Sequence, residues 1–323
     1  MKLFLEKILF HAIEQNATDI HINLKENLNI SFRILGKMVM YKDYDYENGV
    51  KLINYIKYKA HINTNDKIAS MSGEFNTRIN NHVYYFRVSS LPTKKFLSIV
   101  IRILYTDKHV DINHLSPCKE ITSFLKSIKN YRNGLFIISG PTGSGKSTTL
   151  YSLIRYINHD KKLNVISIED PIEIILDECL QIEINEDLGI TYVNTLKQIL
   201  RHDPDIIVIG EIRDEHTANM AVRCALSGHL VLATIHSSNV LTSLQRLLNM
   251  DISQFDLESV IYGILSQRMI YDYEKSLSFM IGEYINHQQC LRYLKTKNLD
   301  YKNFDYYINK LIQSGMNQSV FYE

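Results

Sequence analysis

Cysteine is scarce in this sequence, and the few cysteines present lie far apart. They are Cys118, Cys179, Cys224 and Cys290. No two of them form a CxxC pair, so the sequence offers neither a zinc cage nor a disulfide framework. We interpret them as reduced thiols buried in the core.

An excess of either charge is also missing. The 36 lysines and arginines nearly balance the 35 aspartates and glutamates, for a formal net charge of +1. A balanced chain has no general attraction to nucleic acid or anionic lipid. We therefore expect no direct nucleic acid binding.

A long uncharged apolar run is absent from the N-terminal segment MKLFLEKILFHAIEQNATD. Its apolar pattern contains Glu6, His11 and Glu14. These residues do not suit a signal peptide or a membrane span. The helical spacing of the apolar residues predicts an amphipathic helix instead.

The N-terminal third mixes helix and strand patterns. DIHIN and LNISFRIL alternate like the strands of a hairpin, and residues 47–62 have helical spacing. GEFNTRI, HVYYFRVSSL and FLSIVIRIL are three further strand candidates, rich in β-branched and aromatic residues. The sequence that follows has neither helical nor strand periodicity. We predict a smaller α+β domain over 1–105, a linker over 106–118, and a second domain over 119–323.

The second domain contains four short and nearly continuous apolar runs, GLFIIS, NVISIE, DIIVIG and HLVLATI, separated by helical patterns. Such runs are typical of strands buried on both faces, so they predict an α/β domain with a largely parallel sheet covered by helices. Beyond Met250 we expect mainly helix, with one more strand around SLSFMIGEYIN.

A phosphate-binding loop lies between the first of these strands and the next helix. Its residues are Gly140, Pro141, Thr142, Gly143, Ser144, Gly145, Lys146 and Ser147, followed by Thr148. They match the pattern G-x-x-x-x-G-K-[ST], in which backbone N–H groups surround the β-phosphate. Lys146 would reach the β- and γ-phosphates, and the Ser147 hydroxyl would bind Mg²⁺. The loop therefore predicts a nucleoside triphosphate with Mg²⁺.

Carboxylates follow the next two strands. Glu169, Asp170 and Glu173 come after NVIS, and Glu211 comes after DIIVIG with Arg213 two residues later. Either glutamate, Glu169 or Glu211, could orient the attacking water or hold a water bound to the metal. The sequence leaves open which of the two is the general base.

Two histidines flank the strand LVLATI. His229 precedes it and His236 follows it. Because both lie at strand ends in a domain with a phosphate loop, we predict that they contact the γ-phosphate, His229 as its sensor.

Four motifs resemble those of the secretion ATPases of type II secretion and type IV pilus systems, the GspE, PilB and PilT type. They are the Walker A loop GPTGSGKST, the Asp box ISIEDPIE, the Walker B region RHDPDIIVIGEIRD and the His box GHLVLATIHSSN. The resemblance implies a RecA-like P-loop NTPase domain preceded by a PAS-like α+β domain. It also implies that Arg87 and Arg102 match arginines that reach the nucleotide phosphates from the N-terminal domain.

The resemblance further implies a homo-hexamer that uses ATP and Mg²⁺. In such a ring, ATP turnover moves each N-terminal domain against the following C-terminal domain. This motion acts on an inner-membrane platform protein and, through it, on pilin-like subunits. The protein would then be cytoplasmic and peripheral to the membrane.

Missing features indicate a subfamily. No tetracysteine motif follows Gln267, so zinc is not expected, and the C-terminal segment of retraction ATPases has no counterpart. The competence pseudopilus assembly ATPases of Gram-positive bacteria, the ComGA type, remain closest. Three alternatives stay open: a pilus retraction motor, a DNA-stimulated RecA-like translocase, and a regulatory protein that binds nucleotide without hydrolysing it.

Overall fold

The computed structural model describes residues 1–62, 71–92, 96–104, 110–159, 162–272 and 277–321. The chain divides into two compact units, Met1–Lys108 and His109–Glu323. Part of the predicted linker, residues 106–109, lies outside the described residues. Within the remainder of that linker, Ile112, Leu115 and Cys118 are buried in the core of the second unit.

The described residues of the first unit form two α-helices and six strands. They are α1 (Lys2–Glu14), β1 (Asp19–Leu24), β2 (Leu28–Ile34), β3 (Lys37–Tyr44), α2 (Tyr46–Lys59), β4 (Met71–Ile79), β5 (His82–Pro92) and β6 (Leu97–Leu104). The strands form one antiparallel sheet in the order β3-β2-β1-β6-β5-β4. Alternate apolar residues of this sheet and the apolar faces of both helices form one core.

The second unit is built around a sheet that has seven strands in the part of the chain that the structure describes. Its first elements are α3 (Lys119–Ser127), β7 (Gly134–Ser139), α4 (Lys146–Asn158), β8 (Val165–Glu169), β9 (Leu180–Glu183), α5 (Tyr192–Ile199) and β10 (Ile206–Ile209). The remaining ones are α6 (Glu215–Leu226), β11 (Leu230–Ile235), α7 (Val240–Leu248), α8 (Gln254–Val260), β12 (Ile261–Asp272), β13 (Leu277–Asn286), α9 (His287–Thr296) and α10 (Phe304–Gln313).

The order of this sheet is β13-β12-β7-β11-β10-β8-β9, and every pair is parallel except β12 with β13. Leu135 and Ile137 of β7 belong to one apolar core, whereas Phe136 and Ile138 belong to the other. The sheet is therefore buried on both faces, which is why its strands are continuous apolar runs. The predicted α/β fold with a largely parallel sheet is confirmed.

The C-terminal part differs from the sequence prediction. Residues expected to be mainly helical form the long strand β12, which pairs with β7 on one side and β13 on the other. Residues 263–267 of β12 are all buried, so this stretch lacks the alternation of buried and exposed residues that identifies a strand from its sequence. As a consequence, β12 lies directly beside the strand that leads into the phosphate loop.

Candidate active site

The phosphate loop connects the carboxyl end of β7 to the amino end of α4. Gly140, Gly143 and Gly145 have φ angles of +153°, +77° and +82°, and Gly145 caps α4. At Gly140, a Cβ atom would lie 2.4 Å from the backbone oxygen of Gln267 and 2.5 Å from Ser144 Oγ. The backbone conformation and this close approach both require glycine.

Lys146 folds back across the loop. Its Nζ atom donates hydrogen bonds to the carbonyl oxygens of Gly140 and Pro141, at 3.0 Å each. Burial lowers the pKa of Lys146, while the charges of Glu211 and Glu173 oppose that shift. The two carboxylates are therefore close enough to the ammonium group to influence it.

Glu211 lies at the centre of a hydrogen-bonded chain of charges. One of its carboxylate oxygens accepts from Arg213 Nε at 2.7 Å, and the other is 3.0 Å from His236 Nε2. Arg213 also donates a hydrogen bond from its Nη1 atom to Asp170 Oδ2, at 2.5 Å. The hydrogen bond to Glu211 raises the pKa of Arg213. Glu211 keeps 19% of its side chain exposed.

Glu169 has a different environment from Glu211. The residue is only 3% exposed, and its carboxylate accepts hydrogen bonds from the Tyr151 hydroxyl, from Ser167 Oγ at 2.6 Å and from Gln181 Nε2 at 3.0 Å. Burial raises the pKa of Glu169, against the effect of these donors. Its carboxylate links α4, β8 and β9 inside the protein.

The two predicted histidines lie at opposite ends of β11. Leu230 pairs with Gly134 and Ile235 with Ser139, so His236 follows β11 at the level of the phosphate loop. His229 is at the other end, where its ring Nδ1 contacts the Cys224 carbonyl at 3.2 Å.

Five residue steps along a strand separate these two ends by about 17 Å. The prediction that His229 senses the γ-phosphate is therefore wrong for the phosphate loop of its own chain. The sequence already contained the sign of this error, because His229 precedes the strand and ligands of parallel sheets lie at the carboxyl ends of the strands.

The remaining predicted residues surround the loop. Ser147 and Thr148 are half-buried in the first turn of α4, and Pro141 and Thr142 are exposed at the tip of the loop. Glu173 is exposed in the segment after β8. Ser147 supplies a hydroxyl and Glu211 a carboxylate, which are the oxygen ligands that Mg²⁺ prefers, so this donor set fits the ion.

Two residues at the site were not singled out from the sequence. Tyr151 projects from α4 to Glu169, and Gln267 of β12 donates to the carbonyl of Ser144. No motif identifies either residue. Both positions follow from packing between elements that are distant in sequence.

In the N-terminal unit, Arg87 and Arg102 form part of a row of charges across the polar face of the sheet. Strand register pairs Glu74 with Arg87, Arg87 with Arg102, and Arg102 with Asp19. Arg87 Nη2 lies 3.2 Å from Glu74 Oε1, and Arg102 Nε lies 2.9 Å from the buried Asp19 Oδ1. The flanking carboxylates compensate for two like charges opposite each other.

Within the described ranges, no group of three or more histidine, cysteine, aspartate or glutamate side chains is arranged to hold a metal ion. No helix in the same part of the chain has both the length and the apolar character needed to cross a bilayer. The four cysteines form no disulfide and are buried or half-buried.

Comparison with known proteins gives one consistent family. The model for "Type II/IV secretion system protein" matches residues 1–292. The competence protein ComGA of Bacillus subtilis is 36% identical over 271 residues, which cover 82% of this chain and 76% of ComGA. Type II secretion system protein E of Pseudomonas aeruginosa is 34% identical over 267 residues, which cover 81% of this chain and 53% of that protein.

Two solved structures share the fold. The ATPase DotB of Legionella pneumophila superposes with a TM-score of 0.81 at 21% identity, covering 99% of this chain and 94% of DotB. The pilus retraction motor PilT with bound ADP superposes with a TM-score of 0.72 at 24% identity, covering 97% of this chain and 94% of PilT.

Proposed function

We propose, given that this chain belongs to the type II/IV secretion system protein family and hydrolyses ATP, that it powers assembly of a type IV-like competence pilus or pseudopilus for DNA uptake. It would act at the cytoplasmic face of the cell membrane. Similarity to ComGA over 82% of the chain supports the competence role. The observation that carries the chemistry is the position of Lys146, Glu211 and His236 around one phosphate loop.

Binding of ATP would use groups that the loop already presents. The backbone N–H groups of the loop and of the first turn of α4 would surround the β-phosphate, assisted by the positive end of the helix. Lys146 would exchange its hydrogen bonds to the Gly140 and Pro141 carbonyls for the phosphate oxygens. Ser147 would hold Mg²⁺, which neutralises charge on the phosphates when it is bound.

Glu211 is the better candidate for the general base. It is partly exposed near Lys146, and His236 contacts one oxygen of its carboxylate while Arg213 contacts the other. This arrangement fixes the orientation of the carboxylate, as a residue that positions an attacking water requires. Glu169, in contrast, is enclosed by three donors of its own chain. We assign it to holding β8, β9 and α4 together.

Arg213 and Asp170 would support Glu211 rather than contact the phosphate directly. Arg213 donates to the carboxylates of both residues, and it also donates from Nη2 to the Asp170 backbone oxygen at 3.1 Å. This bonding fixes the distance between the segments that follow β8 and β10. The general base would then keep its position while the nucleotide changes.

The motor would work as a homo-hexamer on a membrane platform protein, and through it on pilin-like subunits. In that ring, Arg87 and Arg102 would supply positive charge to the phosphates during hydrolysis, as the family resemblance implies. Both arginines pair with carboxylates, and a phosphate can take the place of a carboxylate as the partner of an arginine.

The experiment compares Lys146→Ala with Lys197→Ala, an exposed position on α5. We expect Lys146→Ala to abolish ATP hydrolysis by the purified protein and transformation of the natural host by DNA, and Lys197→Ala to retain both. If Lys146→Ala hydrolyses ATP normally, the assignment of the phosphate site is wrong. If hydrolysis is lost but transformation persists, the competence role is wrong.

A further inference from the structure

The contact between β12 and the phosphate loop has no role in the proposal above. Ser266 of β12 pairs with Ser139, the last residue of β7, so Gln267 lies level with the first residue of the loop. The backbone oxygen of Gln267 packs against Gly140, where even a methyl group would not fit. The strand therefore touches the loop where the loop begins.

The side chain of Gln267 reaches the other end of the loop. It is fully buried, and its Nε2 atom donates a hydrogen bond of 2.7 Å to the carbonyl oxygen of Ser144. Met269, two residues later on the same face of β12, covers Gly145, with its Sδ atom 3.1 Å from where a Cβ would lie. Two alternate side chains of one strand thus lie against this end of the loop, one bonded to the Ser144 carbonyl and the other beside Gly145.

The direction of one carbonyl fixes the direction of the next amide. The peptide unit is planar and trans, so the oxygen of Ser144 and the N–H of Gly145 point to opposite sides of it. Because the oxygen points to Gln267 on β12, the N–H points away from β12. Phosphate loops bind the β-phosphate through backbone N–H groups that point into the loop, on the side where the phosphate lies.

We infer that Gln267 is a positioning residue for nucleotide binding, which holds the Ser144–Gly145 peptide so that the Gly145 N–H faces the β-phosphate. The inference rests on the proposed binding of ATP at this loop. Gln267 acts through the backbone of the loop and does not touch the nucleotide. The β12–β13 hairpin is thereby mechanically connected to the phosphate site.

The polar groups around this contact support a positioning role. Gln267 Oε1 and Ser144 Oγ are buried and have no hydrogen-bond partner within the described part of the chain. A buried polar group without a partner is unfavourable, and a residue needed only for packing would be replaced by an apolar one of the same size. The hydrogen bond from Gln267 Nε2 to the Ser144 carbonyl is therefore what an amide supplies at this position and an apolar side chain would not.

The test is Gln267→Met, which keeps the length of the side chain and removes its donor. Gln245→Met, at an exposed position on α7, is the matched control. We expect Gln267→Met to weaken binding of a fluorescent ADP with Mg²⁺ about tenfold, the effect of one misdirected hydrogen bond to a charged group. The KM for ATP should rise by a similar factor, with kcat changed less than about twofold.

A purely structural role would instead lower the unfolding temperature and kcat, and leave the KM of the folded fraction unchanged. Equal ADP affinity in Gln267→Met and wild type would also overturn the inference. If Gln267→Met does not fold, Gln267→Asn, whose shorter amide does not reach Ser144, should show the same loss of affinity. Failure of both variants to fold would assign Gln267 to folding and refute positioning. If wild type itself binds no ADP, the proposed function fails as well.

Discussion

If Glu211 is the general base and Glu169 is structural, substitution of Glu211 should affect catalysis and substitution of Glu169 should affect stability. Glu169 ends β8 and Glu211 follows the neighbouring parallel strand β10, but the first is buried among three donors and the second is partly exposed beside His236 and Arg213. We expect Glu211→Gln to fold normally and to lower kcat about 10²- to 10⁴-fold, the usual contribution of general base catalysis. Glu169→Gln should retain a kcat close to that of wild type.

The magnitude for Glu169 follows from its partners. In Glu169→Ala, the hydroxyls of Tyr151 and Ser167 lose their acceptor, and both residues are buried. Each unsatisfied buried group costs about 1–3 kcal/mol, so we expect the free energy of unfolding to fall by about 2–6 kcal/mol for the two groups. For a unit of this size, that corresponds to a decrease of roughly 4–24 °C in the unfolding temperature.

The pH dependence of stability gives an independent readout for Glu169. Burial raises its folded pKa above the ordinary value of 4.5, so the folded state binds more protons than the unfolded state between these two values. The stability contribution is complete below pH 4.5 and is lost as the pH rises through the folded pKa. Glu169→Gln stays neutral, so its unfolding temperature should rise relative to wild type over this interval.

The assays are steady-state ATP hydrolysis at saturating ATP and thermal unfolding of each variant across pH. The reasoning is refuted if Glu169→Gln loses as much kcat as Glu211→Gln while its unfolding temperature is unchanged. It is also refuted if Glu211→Gln hydrolyses ATP at the wild-type rate.

The other predictions concern the N-terminal unit and the C-terminal strands. Arg87→Ala and Arg102→Ala should each lower kcat at least about tenfold if these arginines stabilise the transferred phosphate, whereas Arg78→Ala, on the edge strand β4, should not. Glu283→Ala removes the buried acceptor of the two N–H groups that begin α7 and α10, so the unfolding free energy should fall by about 2–6 kcal/mol. Calorimetry checks this decrease, and a change in KM for ATP would contradict a purely structural role.

The sequence was sufficient for the elements whose pattern depends on burial alone. The four apolar runs from GLFIIS to HLVLATI became β7, β8, β10 and β11, because strands covered by helices on both faces exclude polar residues. The loop and its cluster of charges were predictable for a similar reason. Parallel strands place whatever follows them at one edge of the sheet.

The features that the sequence did not reveal depend on contacts between side chains that are far apart in the chain. Glu169 is the last residue of β8 and Glu211 comes two residues after the end of β10, a difference that the sequence pattern did not show. Packing of Tyr151 from α4 and Gln181 from β9 makes Glu169 a buried structural group. The neighbours of Gln267 were hidden in the same way, since β12 was expected to be helical. Distant contacts of this kind leave no periodicity in the chain.

The order of the sheet explains why the charges near the nucleotide site form one connected set. The strands β7, β11, β10 and β8 are consecutive neighbours, and they are followed in that order by Lys146, His236, Glu211 with Arg213, and Asp170. Lys146 and Arg213 therefore each have a carboxylate within reach along this edge. In the proposed binding mode, an arriving γ-phosphate would add negative charge beside Lys146 and compete with Glu211 for its ammonium group. Release of inorganic phosphate after hydrolysis would remove that charge again, so the balance of charge around Glu211 would depend on the state of the nucleotide.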